Sequence, residues 1–269
     1  MPELPEVETT VRGLAKVIDG RRIARVEMRR EDLRRAFPPD LGQRLTGARV
    51  TGLGRRAKYG LIHTDRGDTL VFHLGMSGHW RVDPAELGQH DHLLIVTDEG
   101  RQVALNDARR FGSVDLVCSD ELPQWPAFRA LGPEPTGELT GAWLKQKFTG
   151  RKASVKAMLM DQRIIAGLGN IYACEALYRA RIDPRKVAGK VSRAKLEALA
   201  EAIPAVLGEA IAAGGSTLRD FVSPDGELGY FAKEFAVYGR EGHPCGCGGT
   251  VTRIVQGARS TFFCLKCQT

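Results

Sequence analysis

The sequence predicts an α+β chain: a leading helix, short strands forming a β-sandwich or barrel, a helical region, and a strand-rich tail built around metal. Residues 21–118 carry short apolar runs between Gly and Asp turns. Apolar positions at helical spacing follow from about residue 150. Four of the six cysteines crowd the last 25 residues.

The leading helix is signalled by Pro5, which suits a first turn, and by Glu6 and Glu8, whose charge favours the positive end of the helix dipole. Val7, Val11, Leu14 and Ile18 then recur at spacings of four, three and four, one apolar stripe that Gly20 ends. The strand candidates include RRIARVEM, GARVTGLG, YGLIHTD, DTLVFHLG, HLLIVTDEG, RQVALND and GSVDLVC, with TDEGRQ as a hairpin turn. Several strands at this spacing favour a sandwich or barrel over residues 1–118. Four prolines in residues 119–137 mark a linker over 119–135. The helical domain, 136–233, holds KASVKAMLMDQRIIAG, NIYACEALYRARI and SRAKLEALAEAIPAVLGEAIAAG, with GLGN a tight turn opening onto a helix and 214–232 a loop. The tail, 234–269, alternates like strands in FAVYG, GTVTRIV and RSTFFC.

Composition narrows the function. The formal charge of +7, with arginines spread along the chain, suits a polyanion, because each neutralised phosphate releases condensed counterions. The competing reading of that charge is a solubilising surface. No apolar run reaches the roughly 18–20 residues of a membrane span. MPELPEVETTVRG lacks the apolar stretch of a signal peptide. A cytoplasmic protein is the expectation.

Clustered cysteines in such a protein point to metal before disulfide. Cys245, Cys247, Cys264 and Cys267 form two close pairs across a two-strand spacer, the pattern of one structural zinc ion per chain. The first pair is C-x-C, one residue short of the usual knuckle, so His243 stands as a rival ligand to Cys245. Cys118 and Cys174, in apolar contexts, read as buried core residues.

The motifs MPELPEVET, HLGMSG (73–78), DARRFG (107–112), LGPEP (131–135), GLGNIYA (167–173) and RSTFFCLKCQ (259–268) occur together and in order. Together they resemble the formamidopyrimidine-DNA glycosylases, over essentially the whole chain. The resemblance implies a two-layered β-sandwich with an N-terminal helix, then a helix–two-turn–helix domain, then a β-hairpin zinc finger. It implies a monomeric base-excision-repair enzyme that removes oxidised purines from double-stranded DNA and nicks the strand by β,δ-elimination.

The implied nucleophile is Pro2, whose amine is exposed once Met1 is removed. An α-amine has a reference pKa near 7.7–8.0, against about 10.4 for Lys, so roughly a quarter is neutral near pH 7.4. A neutral secondary amine can attack the sugar C1′ and form an iminium. Read without the resemblance, Pro2 is a rigid helix lead-in and Glu3 a helix-dipole acid. With it, Glu3 protonates the sugar ring oxygen or shuttles a proton, and Glu6 supports it. The resemblance assigns Lys58, in RRAKYG, to phosphate contact and β-elimination; read blind, Arg55 or Arg56 would be its rivals. It assigns Arg259 to phosphate binding tied to δ-elimination. Met76, Arg109 and Phe111 map to the trio that fills the space of an extruded base; residues 109 and 111 would share one face if the strand is regular there. His73, His90, Arg151, Lys152 and Asn170 match phosphate-contacting positions. Lys156 is expected to face the damaged base, with Ser216, Thr217 and Tyr230 as polar contacts from the loop. The rival activities are an oxidised-pyrimidine enzyme resembling endonuclease VIII and a non-catalytic, zinc-containing DNA-damage sensor.

Overall fold

The fold is a computed structural model that describes residues 2–135, 139–216 and 235–269. The chain forms two compact units. The first comprises the residues up to Arg129, joined by Ile211–Ser216; the second comprises the remaining described residues.

The first unit is a β-sandwich. Helix α1 (Leu4–Ile18) leads into eight strands: β1 (Ile23–Met28), β2 (Val50–Arg56), β3 (Tyr59–Thr64), β4 (Asp68–His73), β5 (His79–Val82), β6 (Asp91–Thr97), β7 (Gln102–Asn106) and β8 (Ser113–Cys118), with a short helix α2 (Leu41–Leu45) after β1. They form two antiparallel sheets, ordered β1-β6-β7-β5 and β2-β3-β4-β8. The open choice between sandwich and barrel is thereby settled. The α1 stripe forms as its spacing predicts: Val7, Val11, Leu14 and Ile18 join one core with Ile62 and Phe72 from one sheet and Leu93 and Leu105 from the other. Burying a side chain such as Leu14 contributes roughly 1.5–3 kcal/mol, which fixes the head of α1 on the sandwich.

The proline-rich stretch after β8, expected as a linker, begins with local structure. Ser119–Gln124 forms a 3₁₀ turn and Pro126–Arg129 a short helix, α3. Trp125 and Phe128 pack edge-on against Tyr59, making a second small core with Leu61, Val71 and Leu122. Apolar surface on the outer face of β3 outweighs the linker-like proline content. Cys118, expected in the core, is exposed at the last position of β8, whereas Cys174 is buried as expected.

The second unit contains α4 (Gly141–Phe148), α5 (Val155–Leu159), α6 (Asn170–Arg179), most of α7 (Arg193–Ala212) and the hairpin β9 (Val251–Gln256)–β10 (Arg259–Cys264). The helix expected across KASVKAMLMDQRIIAG is only α5. Beyond it Gln162 organises a turn, donating to the Met160 and Leu168 carbonyls while accepting from Gly167 N–H. FAVYG, expected as a strand, is irregular. The N–H groups of Ala236, Val237 and Tyr238 all donate to the buried Glu175 carboxylate on α6, at 2.8–3.0 Å. A single acceptor gathers donors that a strand would spread along a ladder.

Candidate active site

Pro2 and Glu3 are buried at the head of α1. Glu6, one turn on and also buried, accepts from the Glu3 N–H through Oε2 at 2.8 Å. This reciprocal geometry satisfies an orphan donor of the helix start. The other oxygen of Glu6 accepts from both the N–H and the hydroxyl of Ser216, at 2.8 and 2.9 Å. One carboxylate therefore joins the lead-in of α1 to Ser216, 210 residues away in sequence. Of the other loop residues, Thr217 and Tyr230 lie outside the described residues.

Lys58 lies beside this helix. Arg56 pairs with Tyr59, so Ala57 and Lys58 form a two-residue hairpin turn, with Ala57 at φ 53°. Arg55 fastens the turn: its guanidinium donates to Glu8 of α1 at 3.0 Å and to the Ala57 carbonyl at 2.9 Å. Arg55 serves the fold, and Lys58 occupies the tip, 8% exposed. His73 lies opposite Tyr59 on β4. Its Nδ1 accepts from Gly75 N–H at 3.0 Å, which leaves Nε2 as the proton-bearing nitrogen. Burial, then the charges of Lys58, Arg34 and Arg35, push its pKa down to about 4. His73 is thus a neutral donor at physiological pH.

The void-filling candidates lie on two turns. Met76, half-buried, sits between β4 and β5; Arg109 and Phe111, both exposed, sit between β7 and β8. Residues 107–112 are not a strand, so the shared-face expectation is replaced by a turn in which Arg110 takes φ 57°. The Arg109 guanidinium lies 5.0 Å from the Phe111 ring centroid, so the two side chains meet by cation–π stacking instead. His90 is half-buried, with its ring 6.2 Å from that of the buried His92.

In the second unit, Arg259 is exposed at the first position of β10, just after a two-residue turn with Gly257 at φ 54° and Ala258 at φ 60°. The next carbonyl, that of Ser260, accepts from Asn170 Nδ2 at 2.9 Å and from Lys156 Nζ at 3.3 Å. Lys156, expected against the damaged base, is 2% exposed, and its ammonium also donates to Thr261 Oγ1 at 2.6 Å. Its contacts hold the strand that carries Arg259. Asn170 opens α6 directly after Gly169, as GLGN predicts. Arg151 and Lys152 are exposed between α4 and α5.

At the far end of this hairpin the sulfurs of Cys245, Cys247, Cys264 and Cys267 all lie within 4.8 Å of one another. Cys245–Cys267 and Cys247–Cys264 are 3.8 and 3.5 Å apart. Those separations exceed a disulfide bond and approach the ~3.8 Å edge of a tetrahedron with Zn–S near 2.3 Å. A Cβ on Gly249 would lie 2.9 Å from Cys264 Sγ, so the backbone closes around the sulfurs. His243 is exposed and outside this group, and Cys245 supplies the fourth thiolate. The residues fit one structural zinc ion with four protein ligands, which would brace the hairpin. The five residue steps of β10 put Arg259 roughly 17 Å from Cys264.

Sequence reasoning missed Ser77, Asp107 and Glu175. All three lie in or beside the quoted motifs, but their roles rest on long-range contacts.

Residues 1–114 match the family described as the formamidopyrimidine-DNA glycosylase N-terminal domain, residues 131–222 its H2TH domain, and residues 242–269 a zinc finger found in FPG and IleRS. The formamidopyrimidine-DNA glycosylase of Novosphingobium aromaticivorans is 68% identical over all of both chains. A variant of Lactococcus lactis FPG in complex with a Fapy-dG containing DNA is similar with a TM-score of 0.92, at 34% identity over all of both chains. The Lactococcus lactis Fpg in complex with an abasic-site DNA gives 0.91 at 33% identity, again over all of both.

Proposed function

The chain belongs to the formamidopyrimidine-DNA glycosylase family, and we propose that its chemistry runs through the Pro2 amine, with Glu3, Lys58 and Arg259 as the other residues of the reaction. The protein is a bifunctional glycosylase and abasic-site lyase that removes oxidised purines in base excision repair. The observation that supports the assignment is the carboxylate of Glu6, which joins the Glu3 amide to Ser216 and so ties the start of the 214–232 segment to the nucleophile's own helical turn.

While Met1 is attached, the Pro2 nitrogen is an amide and has no available lone pair. Its removal leaves a secondary amine. That amine attacks C1′ as the glycosidic bond breaks, and the departing base takes the bonding pair and a proton. Collapse to the iminium breaks C1′–O4′, and Glu3 supplies the proton that O4′ needs. Loss of a C2′ proton expels the 3′ phosphate. A second elimination expels the 5′ phosphate, and water releases the amine. Lys58 and Arg259 hold the phosphates that leave, Arg259 as a permanently charged bidentate partner. His73, His90, Asn170, Arg151 and Lys152 bind the backbone. Lys156 acts by holding β10. Met76, Arg109 and Phe111 fill the space of the extruded base. The protein works as a cytoplasmic monomer on nucleoid DNA, with 8-oxoguanine and formamidopyrimidines as its lesions.

Borohydride trapping on a duplex containing 8-oxoguanine tests the mechanism. A covalent adduct mapping to Pro2, lost in Pro2→Gly, is expected. No adduct, or an adduct surviving that substitution unchanged, would sink the assignment, as would full lyase activity in protein that retains Met1. Excision of 8-oxoguanine opposite cytosine much faster than thymine glycol separates this reading from the oxidised-pyrimidine alternative.

A further inference from the structure

Beneath the two turns that carry Met76, Arg109 and Phe111 lies a fully buried carboxylate, that of Asp107. Its Oδ1 accepts from the Ser77 hydroxyl at 2.6 Å, and its Oδ2 accepts from the Gly112 N–H at 2.8 Å. The Ser77 oxygen in turn accepts from the Arg109 N–H at 3.1 Å. Ser77 follows Met76 in the chain and Gly112 follows Phe111. Each of the three exposed or half-buried side chains is therefore on, or next to, a residue bound to this one pair. The backbone of Asp107 is fixed as well. Its N–H donates to the His90 carbonyl at 3.0 Å, and its carbonyl accepts from His92 Nε2 at 3.0 Å and Arg110 N–H at 3.2 Å. The turns also meet through bare backbone, because a Cβ on Gly75 would fall 2.3 Å from the Phe111 carbonyl carbon.

Loops ordinarily lose conformational freedom when they bind, which weakens binding and blurs geometry. Two turns tied to one buried acceptor arrive already ordered. We infer that Asp107, acting through Ser77, is the positioning residue that holds Met76, Arg109 and Phe111 as one preformed wedge for entry into the duplex. Asp107 is 0% exposed and Ser77 8%, so both are buried, whereas Arg109 and Phe111 are exposed. The inference rests on the reading of Met76, Arg109 and Phe111 as void-filling residues.

The test uses Ser77→Ala and Asp107→Asn in the full-length, zinc-loaded protein, with Phe111→Ala alongside. Three quantities are measured: single-turnover excision of 8-oxoguanine from duplex, fluorescence of a 2-aminopurine stacked beside the lesion, and cleavage at an abasic site in a single-stranded oligonucleotide, which offers no stack to enter. In Ser77→Ala and Asp107→Asn, duplex excision falls about 10- to 100-fold, the range that misplacement of about 1 Å produces. The 2-aminopurine rise is slowed by the same factor, and single-strand cleavage stays at the parent rate. Unchanged duplex excision and fluorescence in Ser77→Ala overturns the inference, and so does single-strand cleavage that falls as far as duplex excision. If Asp107→Asn fails to fold, Ser77→Ala decides alone. If Phe111→Ala leaves both duplex readouts intact, the wedge reading itself fails; if it impairs them while Ser77→Ala does not, only the positioning role fails.

Discussion

Two β-hairpins of this protein carry, at a two-residue turn, a cation that we assign to the reaction, and they hold it in opposite ways. At the β2–β3 turn Lys58 is buried, and the turn is fastened to α1 by Arg55 and Glu8. At the β9–β10 turn Arg259 is exposed, and the fastening is applied one and two residues away, at Ser260 and Thr261, by Asn170 and Lys156. A buried ammonium on a fastened turn is suited to meeting one reacting group. An exposed guanidinium is suited to a phosphate that arrives with its counterions. The two tips should therefore fail differently.

The largest expected effect is on the buried tip. Lys58→Ala lowers the single-turnover lyase rate by about 10²-fold, the scale of a lost acid–base or phosphate-positioning group. Arg259→Ala instead weakens binding across sequences and lowers the slope of log K against log salt by about one. Equal loss of rate in both variants, with the same salt slopes, would break the contrast. Metal is expected to matter at one tip alone. Cys245→Ser loses bound zinc, and with it the Arg259-dependent salt slope, whereas His243→Ala retains one zinc by metal analysis. Zinc retained in Cys245→Ser would reopen the ligand set.

A third difference is electrostatic. His73, opposite Tyr59 beside the buried tip, has its pKa pushed down to about 4 by burial and by Lys58. The unfolded chain binds a proton there near the ordinary 6.5, so it holds more protons than the native state between those values. Stability from the neutral ring is complete above about pH 6.5 and is lost as pH falls toward 4. His73→Gln should flatten that acid limb in urea melts, and lyase rates between pH 6 and 8 should show no step belonging to this ring. An unchanged limb would mean that another group carries it.

These contrasts mark what sequence could and could not reveal. The zinc ligands were legible because their chemistry lies in local spacing, and the α1 stripe because a helix repeats. Lys58 was singled out from Arg55 and Arg56 by resemblance. The Arg55–Glu8 pair, across 47 residues, engages Arg55 in the fold, and no local pattern encodes it. The burial of Lys156 depends on Thr261, and the Glu6–Ser216 link spans most of the chain. Arg109 and Phe111 looked like a strand pair because alternation is all a short segment displays. Arg110 at φ 57° turns the chain there: its N–H donates to the Asp107 carbonyl, and the Arg109 N–H donates to Ser77 Oγ from the other turn.

The smallest effect sharpens the comparison most directly. Both turns place an alanine in the left-handed region, Ala57 at φ 53° and Ala258 at φ 60°. Glycine relieves that strain by about 1 kcal/mol but loses part of the gain to the greater freedom of the unfolded chain. At Ala258, which is exposed, nothing else is lost, so Ala258→Gly raises stability by a few tenths of a kcal/mol. Ala57 is 1% exposed, and losing its methyl removes about 0.8 kcal/mol of burial. Ala57→Gly therefore comes out neutral or slightly destabilising. Urea midpoints measure both. Equal shifts of the same sign would mean that the two turns are held with the same tightness, and that burial at Lys58 does not constrain its backbone.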